Sequence, residues 1–153
     1  MLVKEVMSHP VITVTPEDTV EQCAKLLLDN NISGLPVVDS SGQVVGIITE
    51  GDLIRRASRI KAPGYLEILG GIIYLGSPKK FVHELQRAMA VKVEEMMTRE
   101  VIAVAPEDTL ETASTLMVQK KVSRLPVVDN GKLVGIVSRR DIMASLYDEQ
   151  SDR

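Results

Sequence analysis

The chain is written twice, and that duplication limits its folds more than any other feature. Residues 7–21, MSHPVITVTPEDTVE, return ninety positions later as MTREVIAVAPEDTLE at 97–111. ISGLPVVD at 32–39 returns at the same offset as VSRLPVVD at 122–129, and 16 of 34 positions are identical between 6–39 and 96–129. The offset then falls to 89, so GQVVGIITEGDLI at 42–54 meets GKLVGIVSRRDIM at 131–143. The lost residue lies where DSSGQ becomes DNGK. Asn130-Gly131 suits a two-residue type I′ turn, and the first copy then needs a longer loop. A length change confined to a turn lets both copies share one fold.

Each copy predicts the order β-α-β-β-α. Val11-Ile12-Thr13-Val14 predicts a short strand. Pro16-Glu17-Asp18-Thr19 predicts a helix start, with Thr15 as N-cap, Pro16 in the first turn and the acids at the positive helix end. Val20, Cys23, Ala24 and Leu27 then make one apolar stripe, which Leu110, Ala113 and Met117 largely repeat. Leu35–Val38 and Val44–Ile48 predict hairpin strands, with Pro36 marking a strand start because it cannot donate to a ladder. Asp52–Ala57 opens a second helix. A unit of about fifty residues is too small to bury its sheet face alone. The expected architecture is therefore α/β (α+β): tandem β-α-β-β-α repeats, 1–59 and 93–153, packed about a pseudo-twofold axis.

Residues 60–92 belong to neither copy and are expected to form a mainly helical insertion of short helices. Gly70-Gly71 breaks the apolar run GYLEILGGIIYL into two short pieces. Ser77-Pro78 predicts a helix start, with Phe81, Leu85, Ala88 and Met89 on one side.

A net charge of −3 gives no global attraction to nucleic acid or anionic lipid, so neither is an expected partner. The single cysteine, Cys23, permits no internal disulfide and falls on the apolar stripe, which reads as core. Met1-Leu2-Val3-Lys4-Glu5 lacks the apolar stretch of a signal peptide, and the run at 64–75 is too short to span a bilayer. The expectation is a soluble cytoplasmic protein. His9 and His83 stand apart from any cysteine or acid cluster at metal spacing, so no metal is expected. No G-x-S-x-G, P-loop or G-x-G-x-x-G occurs, and no catalysis is expected.

The doubled pattern of P-E-D-T, S-x-L-P-V-V-D and G-h-h-T/S-x-x-D resembles a pair of cystathionine-β-synthase (CBS) domains, the Bateman module, over residues 3–59 and 92–147. The resemblance implies a tandem, disc-like regulatory module for energy sensing that binds AMP, ADP or ATP, or alternatively S-adenosylmethionine, in the cleft between the repeats. It also implies a homodimer, and leaves an unknown effector protein as a further partner. By position, it assigns Gly46, Thr49 and Asp52, and in the second copy Gly135, Ser138 and Asp141, to ribose and phosphates. Adenine would lie against Ile12, Thr13, Gly34, Leu35 and Pro36, or against Ile102, Ala103, Arg124, Leu125 and Pro126. In that setting the insertion is an added layer, a dimer contact or a lid beside the cleft.

Thr49-x-x-Asp52 also reads as a capping box, in which hydroxyl and acid only close a helix end. Capping and ligand binding are compatible, since helix N-termini suit phosphate and a carboxylate can accept from a ribose diol. The copies differ in charge. The second has Lys120, Lys121, Arg124, Arg139 and Arg140 where the first has Asn30, Asn31, Gly34, Glu50 and Gly51. Arg139 and Arg140 lie inside the motif, so phosphorylated ligands are expected to outrank S-adenosylmethionine. The competing expectation is a ligand-free interaction and dimerisation module.

Overall fold

In the computed structural model, residues 1–59, 65–68, 71–74 and 76–151 are described, with backbone alone at 65–68, 72–74 and 149–151. The elements are α1 Val3–Val6, α2 Val20–Asp29, β1 Gly34–Val38, β2 Val44–Thr49, α3 Glu50–Ser58, β3 Tyr65–Ile68, β4 Gly71–Tyr74, α4 Pro78–Met89, a 3₁₀ turn Val93–Glu95, α5 Leu110–Lys120, β5 Arg124–Asp129, β6 Lys132–Ser138 and α6 Arg139–Ser151. β1 pairs with β2, β3 with β4 and β5 with β6. Among the described residues, no helix is long and apolar enough to cross a membrane. The chain divides into two compact units, one of Met1–Thr15, Pro36–Ile47 and Thr98–Arg153, the other of Pro16–Leu35 and Ile48–Met97. Each sequence copy is thus divided between them.

The first unit is closed by the segment that opens the chain. Val3 is fully buried in a core with Val104, Ala113, Met117, Leu125, Val127, Val137 and Ile142. Around it the backbone is stitched in place: Val3 N donates to Asp108 O (2.8 Å), Lys4 N to Pro106 O (3.0 Å), and Leu110 N to Met1 O (3.2 Å). Ser8 and Ile136 exchange two backbone hydrogen bonds, 2.9 and 3.1 Å long. Between them Met7 lies on Gly135, where an added Cβ would fall 2.4 Å from Sδ and 2.9 Å from Cγ. The second unit repeats the stitching: Val93 N donates to Asp18 O (2.7 Å), Glu94 N to Pro16 O (3.1 Å) and Val20 N to Val91 O (2.9 Å). Val93, like Val3, is fully buried.

This stitching corrects the predicted helix start. The carbonyls of Pro16 and Asp18 accept from Glu94 and Val93, and the Val20 amide donates to Val91, so residues 16–19 form a turn outside the helix. α2 begins at Val20 with Thr19 as N-cap, and Thr19 and Gln22 bond reciprocally (2.8 and 3.2 Å). Thr109 caps α5 in the same way through Thr112 N (3.1 Å).

The strand expected at 11–14 is also shorter. Only Val14 and its equivalent Val104 bridge, in parallel, to Val37 and Val127. Val104 N donates to Pro126 O (3.0 Å) and Val128 N to Val104 O (2.9 Å). The next parallel bond would run from the amide of residue 126 to the Ile102 carbonyl, and proline has no hydrogen to give. Pro36 stands likewise toward Ile12. Both prolines sit at the third position of their strands, so β1 starts at Gly34, ahead of the start that Pro36 was expected to mark. β6 tolerates Pro126 because its partner there, Ile136, bonds Ser8 instead.

The turns are as read. Asn130 (φ 50°) and Gly131 (φ 79°) join Asp129 to Lys132 as a two-residue turn, while the first copy spans Asp39 to Gln43 with Gly42 at φ 83°. In that longer loop Asp39 Oδ1 accepts from Ser41 N, Ser41 Oγ and Gln43 N, which holds the Asp39 carboxyl below the usual carboxylate range.

The insertion differs from expectation in its first half. Its two pieces are not helices but an antiparallel hairpin, with Tyr65 paired to Tyr74 and Ile68 to Gly71. Tyr and β-branched Ile make up half of β3 and most of β4 and favour strands over helix; Gly70 lies outside the described residues. α4 follows as predicted, capped by Ser77 with Pro78 in its first turn, and Phe81, Leu85, Ala88 and Met89 are half-buried.

Cys23 is fully buried, and burial, with Asp18 nearby, pushes its thiol from 9.0 up to about 11. Iodoacetamide at pH 8 should therefore label it slowly in the folded chain and fast in denaturant. Between pH 9 and 11 the folded thiol keeps a proton that the unfolded one has lost, so its contribution to stability holds below pH 9 and fades toward pH 11. Gly135→Ala should cost about 1–3 kcal/mol in urea unfolding, and clearly less alongside Met7→Ala, because the clash is with that side chain.

Candidate functional site

The motif residues gather where a strand turns into a helix. β6 runs out at Ser138 and α6 starts at once, so Ser138 becomes the residue that closes the helix end. Its amide and its hydroxyl both donate to Asp141 Oδ2, at 2.7 and 2.8 Å, and Asp141 N returns a bond to Ser138 Oγ at 3.3 Å. β2 and α3 build the same junction in the other unit: Thr49 N and Oγ1 donate to Asp52 Oδ2 at 2.9 and 3.1 Å, and Asp52 N to Thr49 Oγ1 at 3.4 Å. Both are complete capping boxes, so the acids do cap helices. All four residues are half-buried.

Capping uses one carboxylate oxygen. Asp141 Oδ1 has no partner among the described residues, whereas Asp52 Oδ1 accepts from the Arg55 guanidinium one turn along α3. Arg55 escaped the sequence reading, although a D-x-x-R spacing at a helix start places acid and base on one face. Position 144, its counterpart on α6, is Ala.

The helix end itself offers less than its bare terminus would. Arg139 N donates to Ser123 O at 3.0 Å, and Asp141 N is held by Ser138, so two of the first three amides are taken. Positive charge comes instead from side chains: Arg139 and Arg140 are exposed in the first turn, and Arg124 sits opposite Ser138 in the β5–β6 ladder. Lys120 and Lys121 are exposed at the end of α5, Lys121 in left-handed backbone at φ 55° where Asn31 stands at φ 50° in the first copy. Asparagine tolerates that region better than lysine.

The remaining assigned residues divide by role. Ile102 is half-buried and Ala103 exposed just ahead of the bridge at Val104, beside Pro126. The Ile102 carbonyl has no strand donor there, because Pro126 lacks an amide hydrogen. In the first copy Ile12 is 36% exposed and Thr13 half-buried. Leu35, Pro36, Leu125 and Pro126 are buried side chains, Leu125 being part of the core cluster, so any contact they make from the site is through backbone. Gly34 and Gly46 are buried within β1 and β2. Gly135 faces Met7, so its missing side chain serves packing rather than open space for a base.

The arrangement can accept hydrogen bonds from a diol at a carboxylate and neutralise an anion beside it. In comparisons with known proteins, the CBS domain family model matches residues 3–59 and 93–148. Uncharacterized protein MJ1426 of Methanocaldococcus jannaschii is 34% identical over 154 residues, covering 95% of this chain and 91% of that one. The CBS domain-containing protein YhcV of Bacillus subtilis is 32% identical over 149 residues, covering 97% of this chain and 88% of its own. Among solved structures, the CBS domain pair of protein MJ0100, in complex with 5′-methylthioadenosine and S-adenosyl-L-methionine, superposes with a TM-score of 0.73 at 29% identity, over 95% of this chain and 99% of that one. With both repeats matched in sequence and the fold matched in structure, the chain belongs to the CBS-domain family and carries two CBS repeats.

Proposed function

We propose that the chain is a non-catalytic regulatory module that binds an adenosine nucleotide, with AMP, ADP or ATP ahead of S-adenosylmethionine. Asp141 takes the ribose hydroxyls at its open oxygen, Ser138 fixes that carboxylate, and Arg124, Arg139 and Arg140 meet the phosphate. Ile102 and Ala103 face the base, whose amino group can donate to the Ile102 carbonyl. In the first copy Thr49 and Asp52 make the equivalent junction for the ribose.

One observation carries the phosphate. Arg139 and Arg140 occupy the first turn of α6, the positive end of a helix dipole, where each cation costs about 0.3–1 kcal/mol. The first copy has Glu50 and Gly51 there, in keeping with the dipole. Two cations at that end do nothing for the helix, but they suit an anion that arrives with the ligand. The adenosine part rests on the related pair that was solved with two adenosine compounds. Because one of those is S-adenosylmethionine, that ligand is the second reading, and it would make the arginines a solvated face.

An assembly role accompanies either ligand. Met143, Leu146 and Tyr147, spaced i, i+3 and i+4 on α6, are 70%, 56% and 71% exposed, an apolar face that a second copy of the chain would cover in a homodimer. If assembly were the whole function, no adenosine compound would bind.

Calorimetry separates these readings. AMP should bind about tenfold or more tightly than adenosine, since a hydrogen bond to a charged group contributes about 1.5–3 kcal/mol. The double substitution Arg139→Ala with Arg140→Ala should bring AMP down toward adenosine. Equal affinity for the two in the unsubstituted chain would dismiss the phosphate role, and preference for S-adenosylmethionine would favour the second reading.

A further inference from the structure

The two copies present the same carboxylate in different states. Asp52 has both oxygens engaged: Oδ2 with Thr49 and Oδ1 with Arg55. Asp141 has Oδ2 engaged with Ser138 and Oδ1 open among the described residues. The difference traces to one position on the helix, Arg55 in α3 against Ala144 in α6. Ala144 cannot reach back, so no counterpart of Arg55 competes for Asp141.

From this asymmetry we infer that Arg55 is a built-in competitor for the ribose position of the first site, and that the second site fills first. The inference rests on the proposal that these aspartates accept the sugar hydroxyls. A diol approaching Asp52 has to displace the guanidinium from Oδ1, while one approaching Asp141 meets an oxygen with no partner among the described residues. Arg55 is 68% exposed and Asp52 only 10%, so the arginine can swing into solvent without disturbing the cap, and the carboxylate stays where Thr49 holds it. The competitor is therefore weak and reversible. A pair whose guanidinium lies in solvent corresponds to an affinity ratio of up to about fivefold. That is enough to order the two sites along one ligand concentration scale, so the chain would respond in two steps, the first at the second copy.

Adenosine is the appropriate probe, because it carries the diol and no phosphate that Arg55 could hold instead. In a chain whose second site is disabled by Asp141→Asn, Arg55→Ala should tighten adenosine binding about fivefold by calorimetry. In the complementary chain, with Asp52→Asn, installing the competitor as Ala144→Arg should weaken binding by a similar factor; the position is exposed and tolerates the longer side chain. Unchanged or weaker adenosine binding on Arg55→Ala overturns the inference and leaves the proposed site standing. Failure of the unsubstituted chain to bind adenosine or AMP at all overturns both.

Discussion

Everything at the two strand–helix junctions depends on a hydroxyl and a carboxylate three residues apart. A strand that ends at Ser138 or Thr49 would leave the following helix with unsatisfied amides. The hydroxyl accepts from the third of these, and the carboxylate reaches back to the strand's last amide. This reciprocal closure fixes the aspartate to a single orientation at the unit surface. It is also what gives a second carboxylate oxygen a defined direction, so the capping role and the binding role are successive uses of the same geometry. The cap takes Oδ2, and what happens to Oδ1 then distinguishes one copy from the other.

Proline shapes the neighbouring ground. Pro36 and Pro126 end the parallel ladder after one bridge, because the next bond needs an amide hydrogen they lack. Residues 12–13 and 102–103 are thereby released from the sheet while remaining tethered to it at Val14 and Val104. The ladder's failure frees backbone beside the cap. Meanwhile the segments that open each copy, with Val3 and Val93 fully buried, tie down the turns that precede α5 and α2. Met7 filling the face of Gly135 places the opening segment directly against the strand that delivers Ser138.

Much of this was legible in the sequence, for reasons that are local. The type I′ turn at Asn130-Gly131 follows from two residues that accept positive φ, and the capping boxes follow from a three-residue spacing. The helix of the insertion announced itself by Ser77-Pro78 and its apolar side. What sequence missed was decided at long range. Pro16 looked like a helix start because nothing nearby shows that Glu94 claims its carbonyl. Gly135 was assigned to the sugar and phosphates because its occupant, Met7, lies far away along the chain. The strands 65–68 and 71–74 are short enough that their composition suits either secondary structure, and Arg55 lies one turn beyond the motif itself.

The central claim is that a strand-end aspartate receives the sugar of a nucleotide. Calorimetric titration of the chain with AMP and with its 2′,3′-dideoxy counterpart tests it most directly, since the two differ only in the hydroxyls the carboxylate would accept. The account predicts that the dideoxy compound binds at least about tenfold more weakly, as expected for hydrogen bonds to a charged acceptor. Equal affinity for the two would contradict it and leave Asp52 and Asp141 as helix caps alone.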